Sequence, residues 1–557
     1  MKFKEMPYER VDFAEVEPRV KELISALDQA GSGEEQFEIH KKFYELTDRV
    51  STLFTIAMIR FDGNTSDKFY SGEREYYDEQ LPIYENLLQE YKKKLYASPY
   101  RNYLEEKIGS VAFKNIEISL KAMNEELIPL MQEENSLTME YDKLIAGAKI
   151  LFDGKELNLS LMRPYMTGPD RSIREAAWKK ATEFFVENAD KLDEIYDRLV
   201  KNRTKQAEKM GYKNYLELGY YRMNRNCYGR EEVEVFRNQV KKYLVPMAEK
   251  LHQIRRQRLE LDQLKYYDEN VYFRNGNPAP QGTPEEILAA GQKMYSELSS
   301  ETKEFFDFMQ ENELFDVLGR KNKRAGGYMT YLPLYGSPFI FANFNGTSGD
   351  VDVITHECGH AFQGYLSGKD PIREHSDITM ETAEIHSMSM EFFAEKWIPL
   401  FFGDRASDYV KMHLEDSIAF IPYGCMVDEF QHIVYENPDM TPAERKAAWR
   451  QLEKEYKPHL DYGDNGYLEQ GGYWQRQPHI YDSPLYYIDY CLAQTCALQY
   501  KVKMDADFGE AWSSYLKLCR LSASDFYTNM IKEVGLMSPF EDGCVKNIVE
   551  KLEKYVK

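Results

Sequence analysis

Apolar residues recur along most of the chain with a helical period. Val20, Leu23, Ile24 and Leu27 fall at i, i+3, i+4 and i+7, and Gly31 follows as a terminator, which predicts an amphipathic helix. Capping signatures repeat the signal. Ser172 to Glu175, Thr283-Pro284-Glu285-Glu286 and Thr441-Pro442-Ala443-Glu444 each set a hydroxyl three residues before a Glu, and the last two put proline at the first helical position. The pattern predicts a mainly α fold. Only 316–350, rich in Gly, Pro, β-branched and aromatic residues, breaks it, and there the sequence predicts a small sheet with a strand over 338–343. The segment 268–282 has turn composition and reads either as a divide or as a surface excursion. We divide the chain into a helical N-terminal lobe, 1–200, and a larger lobe, 201–557.

Charge narrows the function. With 71 Lys+Arg against 93 Asp+Glu the net charge is −22, so phosphate backbones are repelled and nucleic acid is excluded as a partner. No run approaches the roughly 20 apolar residues that cross a bilayer. The most apolar runs, 397–402 and 339–344, are core-sized, and the charged N-terminus lacks an apolar signal region, so a cytoplasmic address without membrane partners is expected. Seven cysteines, an odd number with no CxxC pair, read as reduced thiols.

The chemistry is concentrated at His356-Glu357-Cys358-Gly359-His360. On a helix the two histidines sit about 40° apart around the axis and one turn apart along it, so both rings can reach one ion. Glu357, about 100° from His356, lies beside the metal face, placed to meet a metal-bound water. Cys358 points to the far side as a small buried hydrophobe. Gly359 flanks the metal face, where a missing Cβ lets backbone or substrate approach. A catalytic zinc needs three protein ligands and an open position. The metzincin spacing would put a glycine and a third histidine at Gln363 and Leu366, so the third ligand must come from another helix.

Downstream, 380–393 has helical period with carboxylates at Glu381, Glu384 and Glu391, and Glu395 follows. Glu381 and Glu384 share a face, so one can bind metal while the other orients a histidine from behind. His386, about 200° from Glu384, reads as structural. Further on, Ser483-Pro484 reads as a helix start, with His479 in the preceding loop and Tyr486 and Tyr490 one turn apart. Hydroxyls on that face can grip an oxyanion, although an aromatic core helix has the same pattern. His40, His252, His375, His413, His432 and His459 have no partner at ligand spacing.

The run HECGHAFQ with Glu384 24 residues after His360, in AEIHSMSMEFF, resembles the thimet oligopeptidase and oligoendopeptidase F family of zinc peptidases, in its oligoendopeptidase F-like branch. That family has its third ligand in a VExxSxxxE stretch, which assigns the role to Glu384, with Ala383 where the pattern has Val. Upstream, 324–328 and SPFIFANFNGT look like the family's Gly-rich segment and peptide-aligned strand. Downstream, His479 and SPLYYIDYCLAQ look like its His and Tyr segment.

The resemblance implies a two-lobed, zincin-type helical fold with a deep substrate channel, and a zinc-dependent oligoendopeptidase acting on short unfolded peptides. His356, His360 and Glu384 would bind one zinc ion, and Glu357 would serve as base and then acid. His479 with Tyr486 or Tyr490 would stabilise the oxyanion, with Tyr487 and Tyr481 as fallbacks. Peptide is expected to add as a strand along 338–343. The rivals are a peptide-binding protein with a structural metal and a zinc hydrolase of another class.

Overall fold

The computed structural model describes residues 1–556. Helices take up 71 % of the chain, so the protein is mainly α. The predicted first helix runs Phe13–Gln29, capped by Asp12, with Val20 and Leu27 buried. Thr283 and Thr441 cap the helices Pro284–Leu298 and Pro442–Tyr456 through reciprocal bonds with Glu286 and Glu444. Ser172 does not cap. Asp170 starts that helix, Arg171–Glu187, accepting from the amides of Ser172 and Ile173, because a carboxylate two residues upstream reaches them first.

Two small apolar clusters, drawn from residues between Val11 and Ile116, join the first helices. The main core gathers around the metal-motif segment and includes Cys358, Ile385, Phe392, Leu485 and Ile488. The 268–282 loop is a pinned excursion rather than a divide. Asp268 is buried and paired with Arg171 and Arg174, and the Gln281 amide donates to the Phe401 carbonyl.

Strands β1 (Ile150–Phe152) and β2 (Lys155–Leu157) form a hairpin. Strands β3 (Phe315–Leu318), β4 (Tyr328–Leu332) and β5 (Ser337–Phe344) make the second sheet, in the order β3-β5-β4. The strand expected over 338–343 is therefore the centre of its sheet, pairing parallel with β3 and antiparallel with β4. Both its edges are spent, so it cannot take up a peptide strand as expected, and the sheet's edges belong to β3 and β4. No helix among the described residues is long and apolar enough to cross a membrane.

The segment after β5 is not one regular helix. It runs Gly349–Asp352, then a π-turn Val353–Glu357, then Cys358–Ser367. A π-turn inserts a residue and displaces carbonyls from the helical ladder. Here the Tyr295 hydroxyl donates to the Ile354 carbonyl at 2.8 Å, and Thr355 Oγ1 bonds back to Val351 at 3.1 Å. Next comes the helix Met380–Phe393, which crosses at Gly359. A Cβ there would stand 2.6 Å from Ser387 Cα and 2.7 Å from the His386 carbonyl oxygen. Both obstacles are backbone, so Gly359→Ala must push the helices apart. We expect a loss of about 1 to 3 kcal/mol, the cost of overpacking, measured as a lower denaturant midpoint. An unchanged midpoint would show that the contact relaxes freely.

Candidate metal centre

His356, on the π-turn, and His360, on the helix after it, present their rings 5.0 Å apart and nearly perpendicular. The helix Met380–Phe393 brings Glu384 against both. Its Oε2 lies 3.4 Å from His356 Nε2 and 3.5 Å from His360 Nε2. Ligands bound tetrahedrally at zinc distances are separated by about 3.3 Å, so both carboxylate-to-imidazole separations match, and all three donor atoms lie within 4.8 Å of one another. The donor set, two imidazoles and a carboxylate, suits the same metal. Burial pushes the Glu384 carboxyl up, but the two histidines outweigh it and hold it well below the usual carboxylate range. Ser387 Oγ donates to Oε2 at 3.0 Å and Tyr486 Oη to Oε1 at 2.8 Å, which fixes the carboxylate's plane.

Glu391, not Glu381, stands behind His356. His356 Nδ1 bonds Glu391 Oε1 at 2.6 Å, which leaves Nε2 with its lone pair toward the centre. The other Glu391 oxygen bonds His413 Nε2, also at 2.6 Å. Burial raises the Glu391 carboxyl, but the two histidines bring it down to about 2. Glu381 instead accepts from Thr379 Oγ1 at 2.6 Å, and burial with the nearby Asp489 pushes it up to about 8. The expectation that it orients a histidine is corrected. His413, read as having no partner, has one, supplied by a helix 22 residues along the chain.

The second expected segment arrives at the same place by a different backbone. His479 lies in a short helix, Pro478–Asp482, and the long helix begins at Tyr487, not at Ser483. Leu485, at φ 67°, interrupts the two. Tyr486 and Tyr490 still pack together, centroids 4.8 Å apart and ring planes tilted by 43°, and the His479 ring lies 6.0 and 5.9 Å from them. Burial and the Glu384 charge push both phenols far above their ordinary values, so both stay protonated donors. Glu357 adds to the push on Tyr490. Gln477 Nε2 donates to His479 Nδ1 at 2.8 Å while its Oε1 accepts from Tyr423 at 2.7 Å. His479 is therefore held with its proton on Nε2, free to donate.

Tyr487 packs near His479 at 5.0 Å. Tyr481 is removed from consideration. It is fully buried, stacked on Tyr141 at 3.9 Å and on Trp474. Cys358 and His386 are also fully buried, as expected for core residues.

A second trio, Glu249, His252 and His459, also gathers within ligand range, so these histidines do have partners. Their rings stack at 3.5 Å, but Arg255 donates to His252 Nδ1 at 2.7 Å. His459 is bonded by Glu249 and Glu269, each at 2.6 Å, which raises its pKa against the effect of burial. Lys457 neutralises Glu269. With two cations already in place, this cluster is an ion-pair network rather than a cation site.

Comparison with known proteins gives the first trio its context. The peptidase M3 N-terminal domain matches residues 3–123, and peptidase family M3 matches 165–550. The chain belongs to peptidase family M3. It is 23 % identical to oligopeptidase PepF of Bacillus subtilis (strain 168), over 96 % of this chain and 83 % of that protein. The structure of PZ peptidase A with an inhibitor superposes with a TM-score of 0.96 at 47 % identity, covering 100 % of this chain and 99 % of that one. One assigned to oligoendopeptidase F of Bacillus anthracis str. Ames gives 0.92 at 42 %, covering 100 % and 98 %. The M3 chain is a peptidase.

The contrast between Glu391 and Glu381 is measurable in this M3 peptidase. Glu391→Ala should weaken metal affinity about 10 to 100-fold, as loss of a ligand-orienting carboxylate does, while Glu381→Ala leaves it unchanged. Chelator competition on the two variants reads both. Equal losses would mean that Glu391 does not set the His356 ring.

Proposed function

We propose that this M3 peptidase is a zinc-dependent oligoendopeptidase that hydrolyses internal bonds of short, unfolded peptides. The observation that carries the reading is Glu384 Oε2 at 3.4 and 3.5 Å from the two Nε2 atoms. His356, His360 and Glu384 would hold the ion. When bound there, zinc lowers the pKa of water and polarises a peptide carbonyl.

The protein's own groups do the rest. Glu357, which makes no hydrogen bond or ion pair to another side chain among the described residues, takes the proton of the attacking water and passes it to the leaving amine. Tyr490 and the Nε2–H of His479 donate to the carbonyl oxygen as it gains charge, and Tyr486 joins them by turning its single hydroxyl proton from Glu384 Oε1. Peptide adds along β4, an edge strand of the sheet beside the metal motif, where backbone bonding gives affinity with loose sequence preference. Seven free cysteines fit work in the reducing cytoplasm.

Incubation with quenched peptides of graded length and with stably folded proteins tests the substrate class. Cleavage confined to the peptides is expected, and efficient cutting of a folded protein would refute it. Glu357→Gln should keep its zinc and lose at least about 10²-fold in kcat, the scale of general-base catalysis. Near-full turnover by that zinc-loaded variant would remove Glu357 from the mechanism.

A further inference from the structure

We propose that Arg225, Gln431 and Gly219 form a clamp that positions the Tyr486 hydroxyl by holding Leu485 in a left-handed backbone conformation. The inference rests on the reading of Tyr486 as an oxyanion donor and adds the residues that put it there.

Leu485 has φ 67°, a state that most side chains avoid, and it persists only where the surroundings determine it. Each part of the residue is held. Its amide donates to Gln431 Oε1 at 2.9 Å, and its carbonyl accepts from Arg225 Nη2 at 2.5 Å. Gln431 is itself oriented, since its Nε2 donates to the Val427 carbonyl within its own helix. The Leu485 side chain is fully buried against Gly219, where a Cβ would stand 2.6 Å from Leu485 Cδ1.

Arg225 also reaches into the next turn. The same Nη2 bonds Asp489 Oδ1 at 3.0 Å, and Tyr228 donates to that oxygen at 3.2 Å. Arg225 thus ties the residue before Tyr486 to the one three positions after it, across the first turn of the tyrosine helix. Arginine and aspartate are both fully buried, and Nε and Nη1 of Arg225 have no partner beyond the Tyr220 ring, 4.4 Å from the guanidinium. A buried ion pair with unmet donors is a poor source of stability compared with apolar packing. What it supplies is geometry, because a planar fork bonds two acceptors in fixed directions.

Through this clamp the Tyr486 amide meets the Ser483 carbonyl at 3.2 Å, and its hydroxyl meets Glu384. Gly219, Arg225 and Gln431 touch neither the Glu384 carboxylate nor the histidines, so they are positioning residues.

The test compares Gly219→Ala, Tyr486→Phe and their combination, each loaded with zinc and checked for folding by thermal melting. Gly219→Ala should lower kcat at least about tenfold with little change in KM, since a 1 Å misplacement of a reacting group can cost about 10²-fold. Zinc content should be unchanged. In the Tyr486→Phe background the glycine substitution should cost no more, because both act through one hydroxyl. If Gly219→Ala does not fold, Arg225→Lys, whose ammonium lacks the planar fork, takes its place in the same comparison. A slow Tyr486→Phe beside a Gly219→Ala of wild-type kcat, or losses that multiply, would overturn the clamp alone. Wild-type kinetics in Tyr486→Phe would instead remove the donor role, and the clamp's purpose with it.

Discussion

One carboxylate ties the catalytic half of this molecule together. Glu384 gives Oε2 to two histidines and Oε1 to Tyr486, so the metal-motif helix, its own helix and the tyrosine helix meet at a single side chain. Such sharing tolerates little drift, because a hydrogen bond weakens steeply away from its preferred distance and angle. The packing enforces the spacing. Gly359 lets the Glu384 helix approach to backbone contact on one side, and the helix packs along its length against the tyrosine helix on the other. A buried carboxylate is costly without compensation, and here two imidazoles and two hydroxyls supply it. The site and the helix packing therefore depend on the same group.

What could be read from the sequence follows how local each feature is. The two histidines and Glu357 lie within five residues, and helical geometry alone brings them together. Glu384 required the family resemblance, since nothing local separates it from Glu381. Glu391 was within reach of simple geometry. Seven residues from Glu384, it returns to within about 20° of the same face, two turns along rather than at the i, i+3 spacing that pairs Glu381 with Glu384. His413 comes from another helix and leaves no local signal. The π-turn is equally silent, because the partners that satisfy its carbonyls include Tyr295, a residue far back in the chain. The central position of β5 depends on β3, whose parallel pairing cannot be seen in the alternation of a single strand.

Leu485 is a different kind of miss. Serine followed by proline is a sound helix start, and the rule failed because a leucine occupies a conformation that leucines avoid. Local rules and native structure tend to disagree at functional or strained positions, where the surroundings have overridden propensity. Here the override has an identifiable source in Gln431, Arg225 and Gly219, from two separate parts of the chain. It falls one residue before the hydroxyl that reaches Glu384.

The two histidine clusters show that residue type does not make a metal centre. Each holds two imidazoles and a glutamate within ligand range. Around His356 the next neighbour is the Glu391 carboxylate, which accepts a hydrogen bond from Nδ1–H and directs the Nε2 lone pair inward. Around His252 the neighbour is Arg255, donating to Nδ1, and a neutral imidazole that accepts there must carry its proton on Nε2. The same ring thus offers a lone pair in one cluster and a proton in the other. His459 is bonded through both ring nitrogens, to Glu249 and to Glu269, so neither faces an open position. Arg255 behind one ring and Lys457 on Glu269 leave the second cluster already neutralised, whereas the carboxylate behind His356 leaves the first able to receive a dication.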